Sequence, residues 1–288
     1  MLRIDPKEVK TNVLHSYLLG AVAPRPIAFA STIDKDGNPN LAPFSFFNVF
    51  SANPPIAIFS PARSGRTGET KHTYNNIKEV PEVVINMVNY DMVQQTSLAS
   101  TEYPKGTNEF IKAGFTPVAS EKVKPFRVKE SPAQLECIVK QVIELGDHGG
   151  AGNLIICEVV LMHVSENVLD ENKQIDPNKI DLVSRMGANW YSRASGDSLF
   201  EVAKPLQNLG IGIDLIPEYI RKSNVLTGNN LGQLGNIEKL PSADEVAAYK
   251  SAAAGKINTA EDAHAEAKEL LKSNKVEEAW KVLLSVQQ

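Results

Sequence analysis

Cysteine is scarce in this chain: Cys137 and Cys157 are the only two, and neither belongs to a Cys-x-x-Cys pair or to a metal-like cluster. Both fall in apolar segments, so they read as buried small hydrophobes of a reduced, cytoplasmic protein, with a disulfide or a metal site as the alternative. Long hydrophobic runs are missing as well. No stretch approaches the ~18 apolar residues that a membrane span needs. The segment Met1 to Glu8 carries Arg3, Asp5, Lys7 and Glu8 without an apolar core, and no secretory leader is expected. Positive charge is not in excess: the formal net charge is −4, with the signs mixed along the chain, which argues against a broad nucleic-acid surface.

Several catalytic signatures are also absent. No Gly-x-Gly-x-x-Gly opens a helix after a strand, no Gly-x-x-x-x-Gly-Lys-Ser/Thr occurs, and no Gly-x-Ser-x-Gly elbow is found. The five histidines, His15, His72, His148, His163 and His264, form no His-x-x-x-His or Glu-x-x-His set, so no metal centre is expected.

What is present is a succession of short strand patterns. Residues 26–32 (PIAFAST) precede Asp34-Lys35-Asp36-Gly37-Asn38, whose Asp-Gly pair signals a hairpin. Further strands are expected at 55–60, 82–88, 135–145 and 154–164. In 135–145, Leu135, Cys137, Val139 and Ile143 fall on one face by period-two spacing, and Glu136, Lys140 and Glu144 interrupt the other. Short helices are expected near 73–80 and 92–100. Many strands with few helices favour an antiparallel barrel over a doubly wound parallel sheet.

Beyond residue 200 the composition changes. A glycine-punctuated connecting extension is expected over 201–240. A helical tail follows over 241–288, with apolar residues from Ala263 to Leu284 at helical spacing across a break at Ser273-Asn274. The tail has eight acidic residues and six lysines, too balanced to suggest an ionic partner. It reads as a helical hairpin docked on the barrel or on a partner subunit.

Two stretches carry chemistry. In Arg63-Ser64-Gly65-Arg66-Thr67-Gly68-Glu69-Thr70-Lys71-His72-Thr73, three permanent cations alternate with four hydroxyls between a strand and a helix. Arginine and lysine supply charge, hydroxyls and turn amides supply donors, and a helix N-terminus adds its dipole, which together suit a phosphate monoester. A solvated polar loop is the alternative. The second stretch, Asn40-Leu41-Ala42-Pro43-Phe44-Ser45-Phe46-Phe47-Asn48-Val49-Phe50, interrupts four phenylalanines with groups that want a hydrogen bond or a ligand. In a regular strand Phe46 and Phe47 point to opposite faces, so one of them at most can face a ligand.

The series Pro24-Arg25-Pro26-Ile27-Ala28, Asp36-Gly37, Asn40 to Phe47, Asn53-Pro54-Pro55 and Lys71-His72-Thr73 resembles the flavin reductase family with the FMN-binding split β-barrel, in particular its flavoredoxin-like branch. Ala113-Gly114-Phe115-Thr116-Pro117, Ser131 to Cys137, Glu144-Leu145-Gly146-Asp147 and Ile175-Asp176-Pro177 are similar to the same family, so the resemblance covers about residues 13 to 195. It implies a mainly β, Greek-key antiparallel split barrel over residues 1–200, with short peripheral helices and a helical C-terminal extension. It also implies a homodimer with FMN near the interface. By matching position, Ser45, Phe46, Phe47 and Asn48 would line the flavin ring. Ser60, Arg63, Lys71 and Thr73 would serve the ribityl-phosphate end, with Arg66 and Thr67 in the same loop, and Arg25 would lie near one end of the flavin.

Gly146-Asp147-His148 resembles a motif of short flavin reductases in which the histidine lies near the nicotinamide, which makes His148 a catalytic candidate. The Gly149-Gly150-Ala151-Gly152 that follows equally suits an exposed hairpin. The segment from Arg185 to Tyr191 resembles the family's closing segment, placing Arg185 and Trp190 near the flavin or in dimer packing. The activity implied is hydride transfer from NADH or NADPH to flavin N5. The alternatives are an FMN-carrying electron-transfer protein reduced by a partner, and a scaffold that recruits one.

Overall fold

The computed structural model of the chain describes residues 1–202, 205, 209–252, 257 and 259–286. Its backbone contacts divide it into two compact units, Met1–Phe200 and Glu201–Gln288.

The first unit contains strands β1 (Ala28–Ile33), β2 (Pro39–Phe44), β3 (Phe47–Ala52), β4 (Pro55–Phe59), β5 (Glu82–Asn86), β6 (Pro117–Val118), β7 (Arg127–Val128), β8 (Ala133–Glu144), β9 (Asn153–Val164), β10 (Val183–Arg185) and β11 (Tyr191–Arg193). Its helices are α1 (Thr11–Ala21), α2 (His72–Glu79), α3 (Val93–Leu98), α4 (Glu109–Ala113) and α5 (Pro177–Ile180). Seven strands form one antiparallel sheet in the order β2-β1-β5-β8-β9-β4-β3.

The sheet is mainly antiparallel β as expected, but it is not a closed barrel. Its two edges, β2 and β3, are consecutive in the chain and joined only by Ser45 and Phe46, so the sheet curls until its edges meet at that crossover without a ladder between them. The phenylalanine-rich stretch is therefore not one regular strand but is shared between two. Pro39 and Pro43 lack an N–H and are tolerated because β2 is an edge. On the other edge, Ser60 N–H donates to the Phe46 carbonyl at 2.9 Å.

Strand β1 is buried on both faces because two cores flank it. Ala28 and Ala30 face Phe59, Tyr74, Ile77, Ile85, Leu135 and Ile155 inside the curl. Phe29 turns to Leu41, Met92, Phe110 and Phe115, with the Phe29 and Phe115 rings 5.2 Å apart edge to face. The hairpin after β1 forms as its Asp-Gly pair predicts. Gly37 adopts a left-handed φ of 86°, and the Asp34 carboxylate accepts from the N–H of Asp36 and Asn38 and from the Asn38 side chain.

The pattern in β8 departs from simple alternation. The register shift between Val139 and Gln141 inserts Lys140 as an extra residue, so Val142 packs on the core where the spacing had placed Ile143; a second shift, at Glu136/Cys137, leaves its extra residue, Val160, in β9. Glu136, read as an interruption on the outer face, is fully buried. Its carboxylate accepts from the N–H of Glu121 and Lys122 at 3.0 and 2.6 Å, contacts His163 Nε2 at 2.7 Å and lies 3.8 Å from Arg127 Nε. These groups replace the water that a buried charge loses.

The second unit contains α6 (Glu218–Arg221), α7 (Gly228–Gly235), α8 (Ala243–Ala252), α9 (Ala260–Lys272) and α10 (Val276–Ser285). Its core joins Ile216, Ile220 and Leu234 to Ala267, Leu271, Trp280 and Leu283, and so draws on both sides of position 240. Trp280 is fully buried and donates its indole N–H to the Leu234 carbonyl at 3.0 Å. The glycines of 201–240 serve this packing: a Cβ at Gly210 would lie 2.6 Å from the Gly235 carbonyl oxygen. The chain reverses between α9 and α10 at Asn274, whose φ is 57°.

Candidate cofactor-binding cleft

Strand β2 and the crossover that follows it form one wall of a cleft of about 530 Å³ in the first unit. Asn40, Ala42, Pro43 and Phe44 of β2 line it, together with Ser45 and Phe46 of the crossover, His15 and Leu19 of α1, the 60–73 loop with the start of α2, and the segments 99–103 and Glu109.

The loop's course is set by the β8–β9 hairpin. Arg63 N–H donates to the Ala151 carbonyl at 2.8 Å and Gly150 N–H to the Arg63 carbonyl at 3.1 Å. The Arg63 guanidinium reaches Glu144 at 3.3 Å and the Gly68 carbonyl at 3.4 Å. Glu144 also accepts from Tyr74 Oη, and that bond leads the groups that hold its carboxyl below the usual range. The glycines of the hairpin are there for close approach: a Cβ at Gly149 would sit 3.0 Å from the Ser64 carbonyl oxygen, and one at Gly152 2.7 Å from Ser60 Oγ. Arg63 therefore anchors the loop from behind, between two residues, Ala62 and Ser64, that line the cleft.

Of the residues expected at a ligand, Ser45, Phe46, Ser60, Arg66, Thr67, Lys71 and Thr73 line this cleft. Thr73 Oγ1 accepts from Asn40 Nδ2 at 2.9 Å. Lys71 Nζ and Arg66 Nη2 both donate to Glu102, at 2.6 and 3.2 Å. Phe46 meets His15 edge to face at 6.2 Å.

The other expected residues lie elsewhere. Phe47 packs against the core inside the curl, and Asn48 is exposed on β3 with its side chain accepting from the N–H of Val49. Arg25 is buried behind the wall; it donates to the carbonyls of Leu19, Val22 and Met186 at 2.6, 2.5 and 2.9 Å and to Ser45 Oγ at 3.4 Å. Burial, and then the nearby Arg185, lower its pKa. His148 projects into solvent at the hairpin tip, 3.3 Å from Asp147, with a side chain 95% exposed. Arg185 stacks over Tyr191 at 4.6 Å and lines a second cleft of about 370 Å³ with Tyr90 and Arg193. Trp190 is exposed at the turn between β10 and β11.

Sequence reasoning missed Glu102, Glu109, His15 and Asn40, all on the cleft wall. Glu109 is buried in the first turn of α4, and its Oε2 accepts from Leu41 N–H at 3.0 Å. Burial pushes its carboxyl up. The Asn108 N-cap before it signals a helix start, but nothing in the local sequence says that this turn meets β2. Among the described residues no group of three His, Cys, Asp or Glu could hold a metal ion, and no helix is long and apolar enough to cross a membrane.

A curled antiparallel sheet with a cleft beside one edge, an apolar wall and a cationic, hydroxyl-rich loop places the chain among open, mainly antiparallel β proteins. Residues 20–183 match the flavin reductase like domain, and the chain belongs to that family. It is 37% identical over 197 residues to an uncharacterized protein of Aquifex aeolicus, covering 68% of this chain and 97% of that one. Among solved structures, nitrilotriacetate monooxygenase component B from Bacillus cereus is 31% identical with a TM-score of 0.65, covering 70% of this chain and 98% of that one. Flavoredoxin of Desulfovibrio vulgaris shares the fold at 22% identity and a TM-score of 0.56, covering 72% and 98%.

Proposed function

We propose that the protein binds FMN in the cleft and acts as an NAD(P)H-dependent flavin oxidoreductase. The observation that carries this reading is the cleft itself: one wall is aromatic and apolar, through Phe44, Phe46 and Ala42, and the facing loop brings Ser60, Ser64, Thr67, Thr70 and Thr73 together with Arg66 and Lys71. A planar ring with a hydroxylated, phosphorylated tail matches that division, and the volume lies in the range of small-molecule sites. When bound, FMN would supply a hydride acceptor for NADH or NADPH and a route for electrons to a further acceptor.

The chain's own residues bind, orient and exclude water. Phe46 covers the ring's apolar surface, Ser45 offers its hydroxyl at the crossover, and Lys71, Arg66 and the N-terminal amides of α2 serve the phosphate. Membership of the flavin reductase like family supports the flavin, and the exposed Val49 and Phe50 on edge strand β3 support pairing with a second copy of the chain.

Anaerobic mixing with NADH or NADPH tests the reading. The flavin absorbance of protein loaded with FMN is expected to bleach within seconds. A loaded protein that stays oxidised for minutes would leave the electron-carrier reading, in which a protein partner supplies the electrons. A protein that takes up no FMN would remove both.

A further inference from the structure

The two cations on the cleft wall are already partnered. Lys71 Nζ donates to Glu102 Oε1 at 2.6 Å and Arg66 Nη2 to Glu102 Oε2 at 3.2 Å, so one carboxylate bridges both. The hydrogen bond from Lys71 leads the groups that hold the Glu102 carboxyl below the usual carboxylate range. Glu102 comes from a non-helical segment, Ser100 to Tyr103, that lines the cleft between α3 and α4.

The charge of the whole lining matters here. Arg66 and Lys71 stand against Glu69, Glu102 and Glu109, and the cleft has no net positive charge to offer a dianion. A carboxylate has the planar, two-oxygen acceptor geometry of one edge of a phosphate. A phosphate brought to Lys71 and Arg66 would meet the same donors that Glu102 now uses and would lie beside its negative charge. Like charges at that separation repel, and two acceptors cannot share every donor. The bridge is free to exchange: the side chains of Arg66 and Glu102 are 81% and 55% exposed, and exposed ion pairs are weakly held.

We propose that Glu102 is a specificity-determining internal counter-ion that occupies the phosphate position, competes with the ligand's phosphate for Lys71 and Arg66, and is displaced when a phosphorylated flavin enters. The proposal rests on the reading of the cleft as an FMN site. Its consequence is a site built for exchange, in which Glu102 lowers the advantage of FMN over the phosphate-free flavin and speeds release.

Fluorescence titration of FMN and riboflavin against the wild-type chain, Glu102→Gln and Glu102→Ala tests it. Both variants are expected to bind FMN roughly three- to tenfold more tightly while riboflavin affinity stays within about twofold. An FMN affinity unchanged in both variants overturns the proposal, and so does an equal gain for riboflavin, which would mark easier access instead of released cations. Wild-type protein that binds neither flavin is a separate result: it removes the flavin reading itself, whatever the variants do.

Discussion

Phe46 and Phe47 are adjacent in the chain and serve opposite sides of the same wall: Phe46 is 41% exposed on the cleft against His15, and Phe47 is packed on the core inside the curl. The divergence comes from the crossover, where the last residue before β3 leaves the sheet and the first residue of β3 rejoins it. Phe46→Ala should leave the unfolding midpoint nearly unchanged and weaken FMN binding. Phe47→Ala should cost about 2 kcal/mol of stability, short of the full core value because the ring is only partly buried. Thermal unfolding alongside flavin titration separates the two, and equal loss of stability in both would contradict the assignment.

Arg63 holds the cleft loop by its guanidinium as well as its backbone, so its removal should act on loop order before ligand contact. Arg63→Ala is expected to raise hydrogen exchange across residues 61–70 in the ligand-free protein and to weaken FMN binding about tenfold by the loss of preorganisation. Unchanged exchange with weakened binding would make Arg63 a direct ligand instead.

Arg25 donates four hydrogen bonds from a site only 6% exposed. Arg25→Met would leave the Leu19, Val22 and Met186 carbonyls without that partner and should destabilise the first unit by about 2–4 kcal/mol. Denaturant unfolding followed in the first unit measures it.

Glu136 and Glu109 are both buried carboxyls, and their pH effects have opposite signs. Burial alone would raise Glu136, but the N–H groups of Glu121 and Lys122 and the His163 ring outweigh it and hold its pKa low. A depressed folded-state pKa contributes stability that is present above the unfolded value and lost as pH falls through the folded one. For Glu109, burial raises the pKa, so its contribution is fully present below the unfolded value and lost as pH rises through the folded one. Glu136→Gln should therefore flatten the acid limb of the stability profile, and Glu109→Gln should gain relative stability at neutral pH. Unfolding midpoints from pH 3 to 8 read both.

The second unit has its own core on both sides of residue 240. Ending the chain at residue 240 should give insoluble protein, because Ile216, Ile220 and Leu234 lose Trp280 and Leu283; ending it at Phe200 should leave a soluble first unit. Trp280→Ala should destabilise the second unit by about 3–5 kcal/mol. Limited proteolysis with circular dichroism distinguishes these outcomes.

Much of this was legible in local sequence. The hairpin at Asp34–Asn38, the helices after Lys71 and at 260–285, and the long β8 and β9 follow from turn chemistry and periodicity, which act between residues a few positions apart. The cationic, hydroxyl-rich loop was visible for the same reason. Less was legible where distant segments meet. Period-two spacing put Ile143 inward, but a bulge at Lys140 in β8 reversed the alternation and brought Val142 to the core. Glu136 looked like an outward charge, yet the Glu121–Lys122 backbone covers it.

By itself, then, the sequence determined that this is a strand-rich protein with a glycine- and helix-bearing extension, and that one loop concentrates cations and hydroxyls, because propensity and pattern are short-range properties. Only the tertiary structure decided that the phenylalanine-rich stretch breaks into the two edges of an open sheet and that Arg25 and Arg63 brace the cleft from behind. It alone brought Glu102 between Lys71 and Arg66. Those decisions depend on which surfaces pack together across tens of residues, and the charge balance of the cleft exists only once they have done so.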